Sequence, residues 1–418
     1  MNYASRILAV MMAEMRSARR LVRTWIFVAA GVILSVTPWV ISSINFLSGS
    51  GYSPDIALMN NVRYTFASQF TGMLFLVFSI GVVFLAFDIR VRDKVNRMYE
   101  VMESRPMDNF GYLLGRSLGI MCIVVIPMIV TMSLATIVAL VTQMVGSIQL
   151  ESAQPHSFWY TVLIDIVPNM FFYTAFVVFL SMVLRYRLLV IVCAVGLMVL
   201  QFWLISIAPI HLLEVLNWVT SQNLPSDIDT FFTSAWILFE RLLLISLGLG
   251  LLYLGAIAHQ REDGNVFLGR TALGSGLLVL GVLGFGLGLA NVQEISDQRK
   301  DWVAKHNGIF VEQPTQLLDI DKISGTVRVI PGESLFLDLS IELEVVTNDS
   351  SDGLLFSFNP GLEIQSLSVN EQTNIEYEFD RGLLLVGKDE RFASGTTVVM
   401  HIQATGLPNN QFEHLDSA

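Results

Sequence analysis

Leu188–Ile210 reads LLVIVCAVGLMVLQFWLISIAPI, 23 residues without one charged side chain. A helix needs about 20 such residues to cross ~30 Å of hydrocarbon. Outward from this stretch, six more of similar length and character precede residue 292. They are Trp25–Phe46, Phe66–Phe87, Leu118–Val141, Val162–Leu184, Ala235–Ala258 and Thr271–Ala290. Seven such stretches predict a polytopic α-helical membrane protein. The composition agrees: 53% hydrophobic and 15% charged, where soluble domains average about 25% charged. The first stretch exceeds the ~7–15 residues of a signal-peptide core, and no clear small-residue cleavage site follows it. It reads as a retained signal anchor. Cys122 and Cys193 both fall inside apolar stretches and read as small core residues.

The connections fix an expected orientation. Arg6, Arg16, Arg19, Arg20 and Arg23 precede the first stretch; Arg90, Arg92, Lys94, Arg97, Arg105 and Arg116 lie between the second and third. Arg185 and Arg187, then Arg261 and Arg270, mark the fourth-to-fifth and sixth-to-seventh connections, whereas the intervening loops hold only Arg63. The positive-inside rule makes the basic side cytoplasmic. An odd number of spans then carries the C-terminal tail across the bilayer. That tail is acidic: residues 293–418 hold 21 acidic and 8 basic side chains, against 15 and 17 in residues 1–292. Such a balance argues against nucleic acid as a partner.

The second-to-third connection reads DIRVRDKVNRMYEVMESRPMDNFGYLLGRSL, Asp88–Leu118. Val91, Val95, Met98 and Met102 follow helical spacing and form one apolar stripe, opposite a charged face with Arg92, Lys94, Arg97, Glu100 and Glu103. Pro106 ends that helix, and a second one restarts near Phe110. An amphipathic helix of this kind either lies on the membrane surface or docks into a partner's groove.

In Arg92, Asp93, Glu100, Ser104, Pro106, Leu114, Gly115 and Arg116 this hairpin resembles the cytoplasmic hairpin of type-2 ATP-binding-cassette (ABC-2-type) exporter permeases. The amphipathic segment Tyr3–Arg20 is similar to their interfacial helix, and His211–Thr233 to their short outer helices. The resemblance covers roughly residues 1–260. It implies a six-helix permease core plus a seventh span. A cytoplasmic ATPase subunit that binds ATP and Mg²⁺ would grip the hairpin through Arg92, Asp93, Arg97, Glu100, Glu103 and Arg105. A second permease subunit, identical or paralogous, would complete the path, and the chain itself needs no cofactor. The implied location is a bacterial inner membrane.

Charges inside a span usually face a partner or a cavity. Asp165 near the outer end of the fourth stretch, and Glu240 and Arg241 within the sixth, are therefore expected either to pair, Arg241 with Asp165, or to contact substrate. Gly274, Gly281, Gly284 and Gly288 in the seventh stretch, with Gly248 and Gly255 in the sixth, mark faces where helices approach closely. These two helices are expected to pack on one another or on a second subunit.

Beyond Asn291 the period becomes two. Leu335, Leu337, Leu339, Ile341, Leu343 and Val345 alternate with Phe336, Asp338, Ser340, Glu342 and Glu344. Ile375, Tyr377 and Phe379, then Val398, Met400 and Ile402, repeat the pattern, with Pro331-Gly332, Asn348-Asp349, Asn359-Pro360-Gly361, Arg381-Gly382 and Ser394-Gly395 as turn signals. Half-buried strands of this kind predict a small all-β sandwich. The strings LLFSFNPGLEIQSLSVN and YEFDRGLLLV resemble the N-terminal β-domain of gluzincin (M1-like) aminopeptidases, implying an extracytoplasmic module for a protein or peptide partner. The sequence holds no His-Glu-x-x-His, so the zinc chemistry of that family is not implied. Gly382–Lys388 fits G-x-x-x-x-G-K, but Asp389 stands where Mg²⁺ coordination requires Ser or Thr; it reads as a decoy. The expected division is a cytoplasmic amphipathic interfacial helix (1–24), a six-span permease domain (25–260), a seventh transmembrane helix (271–292), a linker (293–320) and an extracytoplasmic β-sandwich (321–418). The expected function is a non-enzymatic permease subunit. A membrane-anchored scaffold presenting the β-domain, or the membrane portion of a peptidase-linked transporter, is the alternative.

Overall fold

The computed structural model describes residues 2–47, 71–90, 92, 108–145, 155–208, 212, 215–216, 235–258, 267–307, 316–330, 333–348, 353–370, 372, 375–387, 392–409 and 412. The chain divides into two compact units, Met1–Leu289 and Ala290–Ala418.

The first unit is helical. Its elements are α1 (Tyr3–Arg19), α2 (Val22–Leu47), α3 (Thr71–Ala86), α4 (Asn109–Val145), α5 (Pro155–Tyr160), a π-helical segment (Thr161–Ile166), α6 (Val167–Val183), α7 (Arg187–Ile207), α8 (Ala235–Ala258) and α9 (Phe267–His306). Among the described residues five helices are long and apolar enough to cross a membrane. The pair Tyr3–Arg19 and Val22–Thr37, bent by 82°, adds a sixth if it forms one span, and Leu74–Ala86 is a shorter apolar helix. Each of the seven apolar stretches is helical over its described residues except at the ends, where Phe87, Leu184 and Ala208 leave the helix.

Burial ranks the helices. Two-thirds of the apolar window in Phe158–Val183 is buried (67%), against 22% for Arg187–Ile207. So α6 is the central helix and α7 is peripheral. The core joins Leu74, Phe78 and Val82 of α3, Leu113, Ile120 and Met128 of α4, Met170 and Val178 of α6, and Leu252 of α8. Close approach depends on small residues. A Cβ on Gly31 of α2 would sit 2.5 Å from the ring of Phe78, and one on Gly81 of α3 3.4 Å from Phe27, so each helix lodges an aromatic side chain against the other's glycine.

The glycines expected to join the sixth and seventh stretches divide their roles. Gly281, Gly284 and Gly288 of α9 receive Leu247, Leu243 and Trp236 of α8, and Gly274 lies against Tyr253. Gly248 and Gly255, however, face Phe171 and Phe179 of α6. The small residues of α8 that meet α9 include Gly250, against Gly274 and Leu278, and Ser246, whose hydroxyl donates to the Leu277 carbonyl at 3.1 Å. Heptad spacing alone, which left the partner as the other glycine-bearing helix or a second subunit, did not single out α6 for Gly248 and Gly255, because α8 has small residues on two faces and packs on both sides.

The stretch expected as a linker is not extended chain at its start. α9 continues through residues 293–306, 40 residues in all, or about 60 Å at 1.5 Å per residue. Its polar end belongs to the second unit. Trp302 and His306 pack on Phe412 with ring centroids 5.6 and 5.4 Å apart, Asp301 pairs with Arg381 at 2.6 Å, and Lys305 pairs with Asp380.

That second unit is all-β beyond the helix. β1 (Gln316–Ile330), β2 (Ser334–Asn348), β3 (Leu354–Ser357), β4 (Leu362–Val369), β5 (Tyr377–Asp380), β6 (Leu383–Val386) and β7 (Thr396–Gly406) form two antiparallel sheets, ordered β1-β2-β7-β4 and β3-β6-β5. Leu343, Val345, Leu367, Val398, Met400 and Ile402 of the larger sheet share one core with Leu354, Leu384 and Val386 of the smaller. β1 begins inside the expected linker and pairs with β2 along its length (Ile323 opposite Ile341, Val329 opposite Leu335). A register shift between Ile320 and Lys322 interrupts its alternation, as a bulge does. The short sheet covers only part of the long one, so Ile320, Ile323, Val327 and Val329 stay 50–58% exposed. Gly382–Val386 of the G-x-x-x-x-G-K string are the turn and strand of a hairpin. Arg381 and Gly382 both have positive φ, 50° and 80°, as a type I′ turn requires, and Leu383, Leu384 and Val386 are buried strand residues.

Candidate functional site

Among the described residues, two polar constellations lie within the apolar bundle. The first surrounds Glu14. α1 carries Ile7, Val10, Met11, Glu14 and Ala18 along one stripe, and this stripe lies on α4. A Cβ on Gly115 would meet the carbonyl of Ile7 at 2.9 Å and Val10; one on Gly119 would meet the carbonyl of Met11 at 2.8 Å and Glu14. Gly111 lies against Tyr3, whose hydroxyl donates to Asp108 at 3.3 Å. Spaced four apart, Gly111, Gly115 and Gly119 form a track that brings the two backbones together. Along it Glu14 becomes 93% buried, a position a carboxylate tolerates only when paired.

Two arginines supply the pairing. Arg116 of α4 donates from Nε to Glu14 Oε2 at 3.0 Å, and its Nη1 approaches the hydroxyl of Tyr112. Arg92, at the root of the hairpin that leaves α3, donates from Nη2 to Glu14 Oε1. Neighbouring contacts hold the same end of the bundle. Arg23 of α2 pairs with Asp88 at 3.2 Å, and Arg90 donates to the carbonyl of Met182 at the end of α6 at 3.1 Å. Four helices and the hairpin root are thus cross-linked by charge-assisted hydrogen bonds, the strong class.

The second constellation lies deeper. Asp165 occupies the π-helical segment, and Arg241 and Glu240 lie on α8. Arg241 Nη2 donates to Asp165 Oδ1 at 3.0 Å, and its Nη1 lies 3.4 Å from Glu240 Oε1. All three side chains are at least 96% buried. The local backbone is irregular for identifiable reasons. Pro168 offers no amide to the turn before it, and Asn169 donates its side-chain amide to the Asp165 carbonyl at 2.7 Å. π-Segments are rare and are frequent at functional sites.

Of the residues expected to couple to an ATPase, Arg92 is placed, against Glu14. Asp93, Arg97, Glu100, Glu103 and Arg105 lie outside the described residues, as do the stripe Val91, Val95, Met98 and Met102 and most of His211–Thr233. Asp165, Glu240 and Arg241 come together as one group. Glu14 was missed at the sequence level, although the signal was present. It is the only acidic residue in the first 54, and it sits on the apolar stripe of an amphipathic helix. Comparison with known proteins leaves these placements to stand alone, since no family model, no curated protein and no solved structure matches the chain.

Proposed function

We propose that this chain is the membrane-spanning permease subunit of an ABC-2-type transporter, driven by a separate cytoplasmic ATPase that binds ATP and Mg²⁺. One observation carries the reading: Arg92, where the hairpin leaves α3, shares a buried carboxylate with α1 and α4. A force applied to the hairpin by a motor would reach Glu14 directly. α1 is seated on the Gly111–Gly119 track, so it would move together with α4 rather than slide over it. Arg90, held by the Met182 carbonyl of α6, would carry the same displacement to the central helix. A simple anchor for a β-domain has no use for such a node. One span would serve it, and burying ionised groups is expensive unless they are paired.

In this reading two copies of the bundle, or this chain and a paralogue, flank the substrate path, and the β-unit outside receives or steers substrate. The basic connections face the cytoplasm and the acidic tail lies outside a bacterial inner membrane. The decisive experiment is purification of the full chain with its bound partners from native membranes. An ATPase is expected to co-purify, with ATP-dependent transport in proteoliposomes. Glu14→Gln is expected to leave the complex assembled and hydrolysing ATP while transport falls at least about tenfold, the size of one lost charge-assisted contact. A chain that purifies without any ATPase, together with Glu100→Ala and Glu103→Ala variants that behave as wild type, would refute the proposal. Cysteine labelling near Arg97 and near Asp380 tests the orientation: the two positions should react from opposite sides.

A further inference from the structure

The elbow between α1 and α2 borders an open cleft of about 340 Å³, within the range of about 300–1,000 Å³ typical of small-molecule sites. Its walls are apolar, built from Met12 of α1, Val28 of α2, and Ile126 and Pro127 of α4. Arg16 and Arg19, from the last turn of α1, line the same cleft.

These arginines differ from Arg23, Arg92 and Arg116. Arg23 has Asp88, and Arg92 and Arg116 share Glu14. Neither Arg16 nor Arg19 has a carboxylate partner among the described residues, and both are exposed. Two polar side chains of the elbow are already engaged: Thr24 donates to the Ala18 carbonyl at 2.6 Å and the Trp25 indole to the Arg19 carbonyl at 3.0 Å. The cleft therefore presents two uncommitted guanidinium groups above an apolar slot. Guanidinium recognises phosphate through paired hydrogen bonds, and the slot suits methylene chains but gives a small hydrated anion nothing to bind. The setting is a bent, basic, amphipathic helix followed by an apolar helix, with Trp25 59% exposed at the bend. Interfacial helices and their tryptophans lie at the level of the lipid headgroups, and basic pockets between helices take anionic headgroups.

We infer that the elbow binds one anionic phospholipid, with its phosphate on Arg16 and Arg19 and an acyl chain along Met12, Val28 and Ile126. The bound lipid braces the α1–α2 bend beside the Gly115–Gly119 track. The inference requires only that the apolar helices lie in a membrane and is independent of the transport reading.

The test is native mass spectrometry of the full chain, purified in detergent and exposed to equal amounts of phosphatidylglycerol and phosphatidylcholine with matched chains. One phosphatidylglycerol is expected to be retained preferentially. The double variant Arg16→Ala/Arg19→Ala is expected to lower its affinity about 30-fold, from two basic contacts. Ile126→Trp, which fills the slot without changing charge, is expected to abolish the preference. Arg20→Ala removes a neighbouring charge outside the cleft and is expected to leave retention unchanged, and millimolar inorganic phosphate is expected not to displace the lipid. Gel filtration checks the fold of each variant, with Arg19→Gln alone as substitute should the double variant aggregate. Equal retention of the two lipids, an Arg20→Ala effect as large as the double variant's, displacement by free phosphate, or an inert Ile126→Trp would each overturn the inference.

Discussion

Glu14 and Arg241 are both buried, charged and doubly contacted, yet they differ in what surrounds them. Glu14 sits between two arginines at the end of the bundle, whereas Arg241 sits between two carboxylates among apolar side chains. Removing one member of a buried pair leaves the other uncompensated and costs about 3–5 kcal/mol. Arg241→Ala is therefore expected to lower the unfolding temperature in detergent strongly. Asp165→Ala/Arg241→Ala is expected to recover part of the loss, because no Asp165 charge then remains unpaired. A loss in the double variant equal to the sum of the losses in Asp165→Ala and Arg241→Ala would show that the pair is not coupled. The pairing of Arg241 with Asp165 was one of two readings open to the sequence, which shows three charges in apolar stretches but not which of them meet. A different electrostatic signal lies outside the membrane-spanning segments. The Lys305 ammonium donates to Asp380 and holds its carboxyl below the usual carboxylate range, with Arg381 adding to the effect. A depressed folded-state pKa stabilises at every pH above the unfolded value of about 3.9 and is lost as pH falls through the lower, folded value. Asp380→Asn should flatten that acid limb of the unfolding curve and leave the region above pH 5 unchanged in shape.

At the scale of elements, the glycine track on α4 decides where α1 lies. Gly119→Leu would place a branched side chain where a Cβ alone already comes within 2.8 Å of the Met11 carbonyl. It is expected to lift α1 off α4 and open Glu14 to water, which faster backbone amide exchange in Tyr3–Arg19 would report. A Gly276→Leu control, where a Cβ meets nothing within 4 Å, should leave exchange unchanged. The sequence marks Gly111, Gly115 and Gly119 by spacing alone. Only packing tells them apart from Gly276, which has the same chemistry and an open face. The strands carry a matching lesson. The alternation of β2 was legible because nothing interrupts it, and β1 was missed because its bulge shifts the apolar residues by one position midway. Since Val327 is 55% exposed and Val398 fully buried, Val398→Asp should abolish cooperative unfolding of the β-unit while Val327→Asp leaves it nearly intact, as followed by the near-ultraviolet circular dichroism of the chain.

Over the whole molecule, the sequence by itself determined the division of labour. Long charge-free stretches demand helices that satisfy their own backbone in an apolar medium, and period-two alternation demands half-buried strands. Both are one-dimensional signals, so they survive without any knowledge of contacts. The tertiary structure alone decided which helix is central, that α9 runs on into the expected linker as far as His306 and packs its polar end on Phe412, that Gly248 and Gly255 serve α6, and that a solitary glutamate on α1 holds together two distant arginines. The reason is physical. Hydrophobicity and periodicity are properties of a segment read alone, whereas a buried charge, a close helix contact or a cavity exists only where segments far apart in the chain meet and exclude solvent between them.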